Sequence, residues 1–193
     1  MGKIGLFDLE KHFSFYGAYH SNPINILIHI IFVWPIFFTA QVILYFTPAL
    51  IECHFPCRMG LIPNIGFVVA LIYSMFYICL DKKVGTLAAF LCFVCWVFGG
   101  LIAKNLGFSM AWKVVLVVQM LCWTGQFIGH GVFEKRAPTL LDNVLQPMLM
   151  APFFVVLEVL WLGFGYEPFL GFHAKVKNNI DAEIKSFKEK KTM

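Results

Sequence analysis

Three of the six histidines stand where a histidine is costly. His20 precedes a long uncharged run, His29 lies one to two turns inside it, and His130 lies near the end of another such run. Ionisable groups at membrane depth are expensive and are usually there for a function. Glu134 follows His130 by four residues, so on a helix the two stack on one face. His20 and His29 are nine apart and would face opposite ways on a single helix. The Ser21-Asn22-Pro23 break lets the preceding segment fold back, so that both can point inward. If the uncharged runs are membrane spans, the chain returns His130 and Glu134 to the side where His20 and His29 lie. Imidazole nitrogen with carboxylate oxygen, and no thiolate, suits a non-haem Fe(II) centre with open positions for dioxygen. Zinc accepts the same ligands, so spacing alone does not choose between them. Lys135, Arg136 and Asp142 lie just beyond and could bind a carboxylate headgroup or support the ligands. The bland alternative is interhelical hydrogen bonding by the histidines and an ordinary interfacial charge cluster at Glu134-Lys135-Arg136.

The elements that must position these residues follow from composition. Hydrophobic residues make up 60% of the 193 and charged residues 13%, against about half and a quarter in soluble chains. The net charge of +4 is too small, and too concentrated in the tail, to argue for nucleic acid. Residues 24–51, 59–80 and 84–103 carry no Lys, Arg, Asp or Glu, and 105–133 carries only Lys113. A fifth run, 143–166, is interrupted by Glu158 and has Pro147 and Pro152 near its start. About 20 apolar residues cross a ~30 Å hydrocarbon core as a helix. The expected fold is an all-α, polytopic membrane bundle of four to five transmembrane helices. Residues 1–23 form an interfacial segment, with Leu6, Leu9, Phe13 and Tyr16 on one stripe. Residues 24–166 form the catalytic bundle, and 167–193 a basic tail that is solvated or interfacial. Near the end of that tail, Lys190-Lys191 resembles a retrieval signal read by a vesicle coat on the cytosolic side; an incidental Lys-rich tail is the equal alternative. A continuous fifth helix from Asp142 would carry Glu158 ~24 Å from the histidine side.

The other polar candidates weigh less. His12, His54 and His173 lie in polar ends or a loop and read as surface histidines. Cys92 and Cys95 have CxxC spacing inside an apolar run, where a free cysteine is a small filler. Cys53 and Cys57 flank His54 in the first loop and could form a disulfide or half a metal site.

Two blocks carry a family resemblance. The first is Phe15-Tyr16, then Tyr19-His20-Ser21-Asn22-Pro23-Ile24-Asn25, then Ile28-His29. The second is Gly129-His130-Gly131-Val132-Phe133-Glu134-Lys135-Arg136, with Pro138 and Asp142-Asn143 following. Ala151-Pro152-Phe153-Phe154 and Glu158 fit as well. The chain resembles the endoplasmic-reticulum 2-hydroxy-fatty-acid dioxygenases, founded by the fungal enzyme of phytosphingosine breakdown. The resemblance implies a multi-pass membrane enzyme of the endoplasmic reticulum that uses Fe2+ and dioxygen. Its substrate would be a 2-hydroxy fatty acid drawn from the membrane lipid, and its product one carbon shorter. The resemblance carries the roles of iron ligands to His20, His29 and His130, and places Glu134 as a fourth ligand or a supporting partner. Asn25 would orient a histidine or the substrate.

The competing reading is a non-enzymatic scaffold or small transporter of the same membrane, with the histidines as a proton relay. One conflict stands at this level. Five full spans would put the histidines and the tail on opposite sides, which predicts that segment five does not fully cross or that another span is re-entrant.

Overall fold

The computed structural model describes residues 5–50, 63–138 and 145–192. Among the described residues the regular elements are all helical: α1 (Leu9–Ala18), α2 (Pro23–Leu44), α3 (Ile65–Leu80), α4 (Lys82–Ile128), a π-helical turn (Gly129–Glu134), α5 (Leu145–Phe164) and α6 (Phe172–Thr192). The expected all-α bundle is therefore present. Asp142, Cys53, His54 and Cys57, and the side chains of Lys190 and Lys191, lie outside the described residues.

The start of α2 follows from local chemistry. The Asn22 side-chain oxygen accepts from the Ile24 N–H at 2.9 Å, and Pro23 takes the first turn, where no amide hydrogen is needed. From there α2 runs to the far side of the bundle. At that end the Asn64 amide donates to the Tyr45 carbonyl at 3.1 Å and its oxygen accepts from Phe67 N–H, so α3 starts there and returns. With 16 residues α3 is about 24 Å long, shorter than a full ~30 Å crossing. Asp81 then ends α3 and caps α4, accepting from Val84 N–H at 2.7 Å.

Helix α4 is two helices joined at Gly107, whose φ of 66° and ψ of 160° are not helical. A straight helix would separate Gly99 from Gln119 by about 30 Å. Here a Cβ on Gly99 would lie 3.1 Å from Gln41, and Gln119 donates to Thr39 Oγ1 at 2.9 Å. Both arms thus meet nearly the same turn of α2, and the chain doubles back at Gly107. The arms supply the expected third and fourth spans, and the second returns to the side where α2 begins.

Helix α5 is long and apolar enough to cross a membrane. Its contacts show a different path. Its first residues meet the half of α3 nearer Asp81: Tyr73 Oη donates to the Met148 carbonyl at 3.0 Å and Tyr77 Oη to the Leu149 carbonyl at 2.8 Å. Just past its end Tyr166 Oη donates to Asp81 at 3.2 Å. Both ends of α5 therefore pack against the half of α3 that ends at Asp81. The helix is continuous through Pro147 and Pro152, and Phe154 and Trp161, which bracket Glu158, pack against Phe13 and Tyr16 of α1, so Glu158 stays near the histidine side instead of ~24 Å away.

The ends of the chain meet on that side. Phe13 of α1 packs against Phe154, Trp161 and Phe172, and Phe172 and Val176 of α6 are fully buried. The expected surface stripe of α1 is thus covered by α5 and α6, while Leu6 precedes the helix and is exposed. His12 is buried and bonded to the Gly5 carbonyl at 3.0 Å, and His173 stacks on Trp161 at 4.0 Å, so neither is a free surface histidine. Cys92 and Cys95 are buried free thiols in the core, as fillers would be.

Candidate metal centre

His20 leaves the end of α1, His29 stands on the second turn of α2, and His130 sits in the π turn after α4. All three are buried. Their ring centroids are 4.3, 4.8 and 4.9 Å apart, edge to face, and one ligand nitrogen from each lies within 4.8 Å of the others. The folding back at Asn22-Pro23 produces this approach, because it turns His20 toward the same space as His29.

The tautomers follow from the backbone. His20 Nδ1 is 2.8 Å from the Tyr16 carbonyl, and His29 Nδ1 is 2.9 Å from the Asn25 carbonyl. A carbonyl only accepts, so each Nδ1 carries the hydrogen and each Nε2 is left with a lone pair. This carbonyl-bound second nitrogen is the usual arrangement behind a metal-ligating histidine. Burial, together with any charge on His29 or His130, holds the His20 ring well below its ordinary value and keeps that lone pair free. His20 Nε2 and His130 Nδ1 are buried without a hydrogen-bond partner. Unpartnered nitrogens on converging rings fit a metal ion, and a three-nitrogen set suits zinc or ferrous iron.

Glu134 stands apart from this group. Its carboxylate accepts from Ser21 N–H at 3.0 Å, Ser21 Oγ at 2.5 Å, Asn22 N–H at 3.0 Å and Asn25 Nδ2 at 3.1 Å. It clamps the α1–α2 link to the π turn and so fixes His20 and His29 relative to His130. Asn25 shares the clamp, since its Nδ2 also donates to the Tyr19 carbonyl at 3.1 Å. Gly129 leaves the room for it, because a Cβ there would lie 2.4 Å from Asn25 Oδ1.

The two basic residues turn away from the centre. Lys135 is exposed and ends the π turn in the left-handed region at φ 54°. Arg136 donates to the Ala18 carbonyl at 2.8 Å and lies over the Tyr19 ring at 3.4 Å and the Phe187 ring at 4.4 Å. It joins the π turn, α1 and α6 through its planar guanidinium.

A cavity of about 290 Å³ opens from the histidines and runs down between α2, α3, the second arm of α4 and α5. Its lining is mostly apolar, including Val33, Phe37, Val69, Trp123, Met148 and Phe154. Sequence reasoning missed Tyr16, which lines it and stacks on His20 at 4.0 Å. Burial, then the charge of nearby Glu158, raises the Tyr16 phenol and keeps it protonated. The available signal was its place on the α1 stripe, four residues before His20.

With this geometry in place, comparison with known proteins is direct. The profile of the Mpo1-like family, described as 2-hydroxy-palmitic acid dioxygenase Mpo1-like, matches residues 6–161. The chain belongs to this family. The match includes all three converging histidines and ends inside α5. Within the family, the 2-hydroxy-palmitic acid dioxygenase MPO1 of Saccharomyces cerevisiae is 34% identical over 190 residues, covering 94% of this chain and 93% of the relative. No solved structure matches the chain.

Proposed function

We propose that this protein is an Fe(II)-dependent dioxygenase that shortens 2-hydroxy fatty acids by one carbon. The observation that carries the reading is the set of orphaned imidazole nitrogens at the head of a long apolar cavity. Family membership and the substrate in the yeast relative's name support the same reaction class.

His20, His29 and His130 would hold the ion. When bound, ferrous iron supplies open coordination positions at which dioxygen is activated. The protein's own residues do the rest. The cavity takes the acyl chain and excludes water, so the carboxylate and 2-hydroxyl are left at the histidines. The Tyr16 and Asn25 carbonyls keep two rings in the metal-ready tautomer. Glu134 and Asn25 hold the α1–α2 link so that the rings do not separate. Overall, one 2-hydroxy acid and one O2 balance against the acid one carbon shorter, carbon dioxide and water, with no outside electron donor.

We place the enzyme in the endoplasmic-reticulum membrane, on the family resemblance, with its site at the cytosolic face. Lys82, Lys83, Lys135, Arg136 and Lys175 lie on the histidine side, whereas Lys104 and Lys113 flank the far turn at Gly107. That asymmetry supports a cytosolic histidine side. We take α5 not to cross, and on that reading the tail lies on the same side as the histidines.

The test is iron and turnover together. Protein purified in detergent and loaded anaerobically is expected to retain one iron per chain. It should then consume oxygen with 2-hydroxypalmitate and release the shortened product. His130→Ala is expected to lose both retention and turnover. Full turnover in His130→Ala would overturn the ligand set, and a wild-type protein that retains no metal would favour the scaffold reading.

A further inference from the structure

The cavity continues well past the histidines. On α2 it is lined by His29, Val33, Phe37, Gln41 and Leu44, which form one helical face. From His29 to Gln41 is twelve residues, about 18 Å along the axis. One leaflet of a ~30 Å hydrocarbon core is about 15 Å deep, so this is the length of a long acyl chain.

Gln41 closes that distance with a polar group. Its side chain is 1% exposed, and neither Nε2 nor Oε1 has a hydrogen-bond partner in the protein. Native interiors rarely leave an amide in this state, because desolvating it without a partner is unfavourable. The side chain is also seated by two glycines on different helices. A Cβ on Gly66 would lie 2.8 Å from Gln41 Oε1, and a Cβ on Gly99 would lie 3.1 Å from Gln41 Cβ. An amide with a free donor and a free acceptor needs a group that both accepts and donates. A hydroxyl does this, whether of water or of an alcohol; a methyl terminus does not.

We infer that Gln41 is the chain-length gauge of the cavity: its amide holds a hydroxyl group at the floor, and an acyl chain is accepted up to the length at which its methyl end meets that group. The inference rests on reading the cavity as the site of a 2-hydroxy fatty acid. Space continues one turn further, to Leu44, so a longer chain has room but must lie against a stripped amide to use it. A chain ending in its own hydroxyl can replace the water without that loss.

The test uses the full-length protein in detergent, with Gln41→Leu and Gln41→Met as two apolar replacements of similar length. Affinities for 2-hydroxypalmitate, 2-hydroxyarachidate and terminally hydroxylated 2-hydroxypalmitate are read by displacement of a fluorescent fatty acid from metal-free protein, and kcat and KM from metal-loaded protein. The affinity ratio of arachidate to palmitate is expected to rise about tenfold in both variants, and the terminal hydroxyl, tolerated by wild type, to cost about tenfold in them. Such ratios are insensitive to the fraction of protein that folds. Wild-type ratios in both variants, with 2-hydroxypalmitate still bound and consumed by wild type, would overturn the gauge and leave the dioxygenase reading intact. If wild type binds and consumes none of these acids, the reading of the cavity fails and the gauge with it.

Discussion

At the histidine end of the bundle, Glu134 binds Ser21, Asn22 and Asn25 across sequence separations of 113, 112 and 109 residues. At the far end, where α4 doubles back, Val42 packs with Ala103, Ala111 and Val115, and Phe46 lies edge-on to Phe108. The first end is fixed by directional bonds to a carboxylate; at the second, the reversal of α4 is held by volume and by the backbone of Gly107, and the directional bonds of Asn64 serve only the turn from α2 to α3. Directional contacts can set the angle of a ring, whereas apolar packing sets only how closely helices approach. The difference puts the bonds that orient the rings at one end and leaves the other to set how closely the two arms of α4 approach α2.

The largest effect is expected from breaking the directional end. Glu134→Ala removes the acceptor for four donors, and hydrogen bonds to a charged group contribute about 1.5–3 kcal/mol each. A loss of about 3 kcal/mol or more is expected in an SDS unfolding titration. Metal retention should fall about 10–100-fold, as it does when partners behind metal ligands are removed. Wild-type retention in this variant would show that the clamp does not orient the rings. An intermediate effect is expected at Gly107, whose φ of 66° and ψ of 160° fall in a region nearly closed to other residues. A Cβ there would meet nothing within 4 Å, so Gly107→Ala should cost about 1–3 kcal/mol through the backbone alone. Metal retention in Gly107→Ala should match wild type, which separates the two ends by experiment.

The smallest effect sharpens the comparison within the histidine side. Asp8 caps α1 by accepting from Lys11 N–H at 3.2 Å, a bond that is polar but local. Asp8→Ala should cost about 1 kcal/mol and leave the metal in place. The Lys11 hydrogen bonds and charge hold the Asp8 carboxyl below its ordinary value. Its contribution is therefore complete above that value and is lost as pH falls through the lowered one. The stability difference between wild type and Asp8→Ala should accordingly close in acid.

The sequence made the helices and the meeting of the histidines legible, because uncharged runs mark depth and the Asn22-Pro23 break marks a reversal. It did not reveal the path of α5. The bonds of Tyr73, Tyr77 and Tyr166 that set how α5 lies against α3 leave no mark in the composition of an apolar run. Glu158 was misjudged for the same reason, since its distance was measured along a helix whose direction was unknown. The position of Glu134 was legible and its hydrogen-bond partners were not, because i,i+4 spacing puts it near His130 without saying where its oxygens point. Gln41 carried no signal at all: a single amide in an apolar run shows its meaning only once Gly66 and Gly99 are seen to enclose it.

The reversal at Gly107 also bears on how the protein is made. Lys82 to Ile128 is two arms joined at one residue, so it can enter the bilayer as a single folded unit with Lys104 and Lys113 near its tip. On the proposed orientation those two cations would be carried through the hydrocarbon together, against the usual retention of positive charge at the side of synthesis. With that orientation the passage of the tip would be the costly step in placing the segment, because both charges meet the hydrocarbon at once.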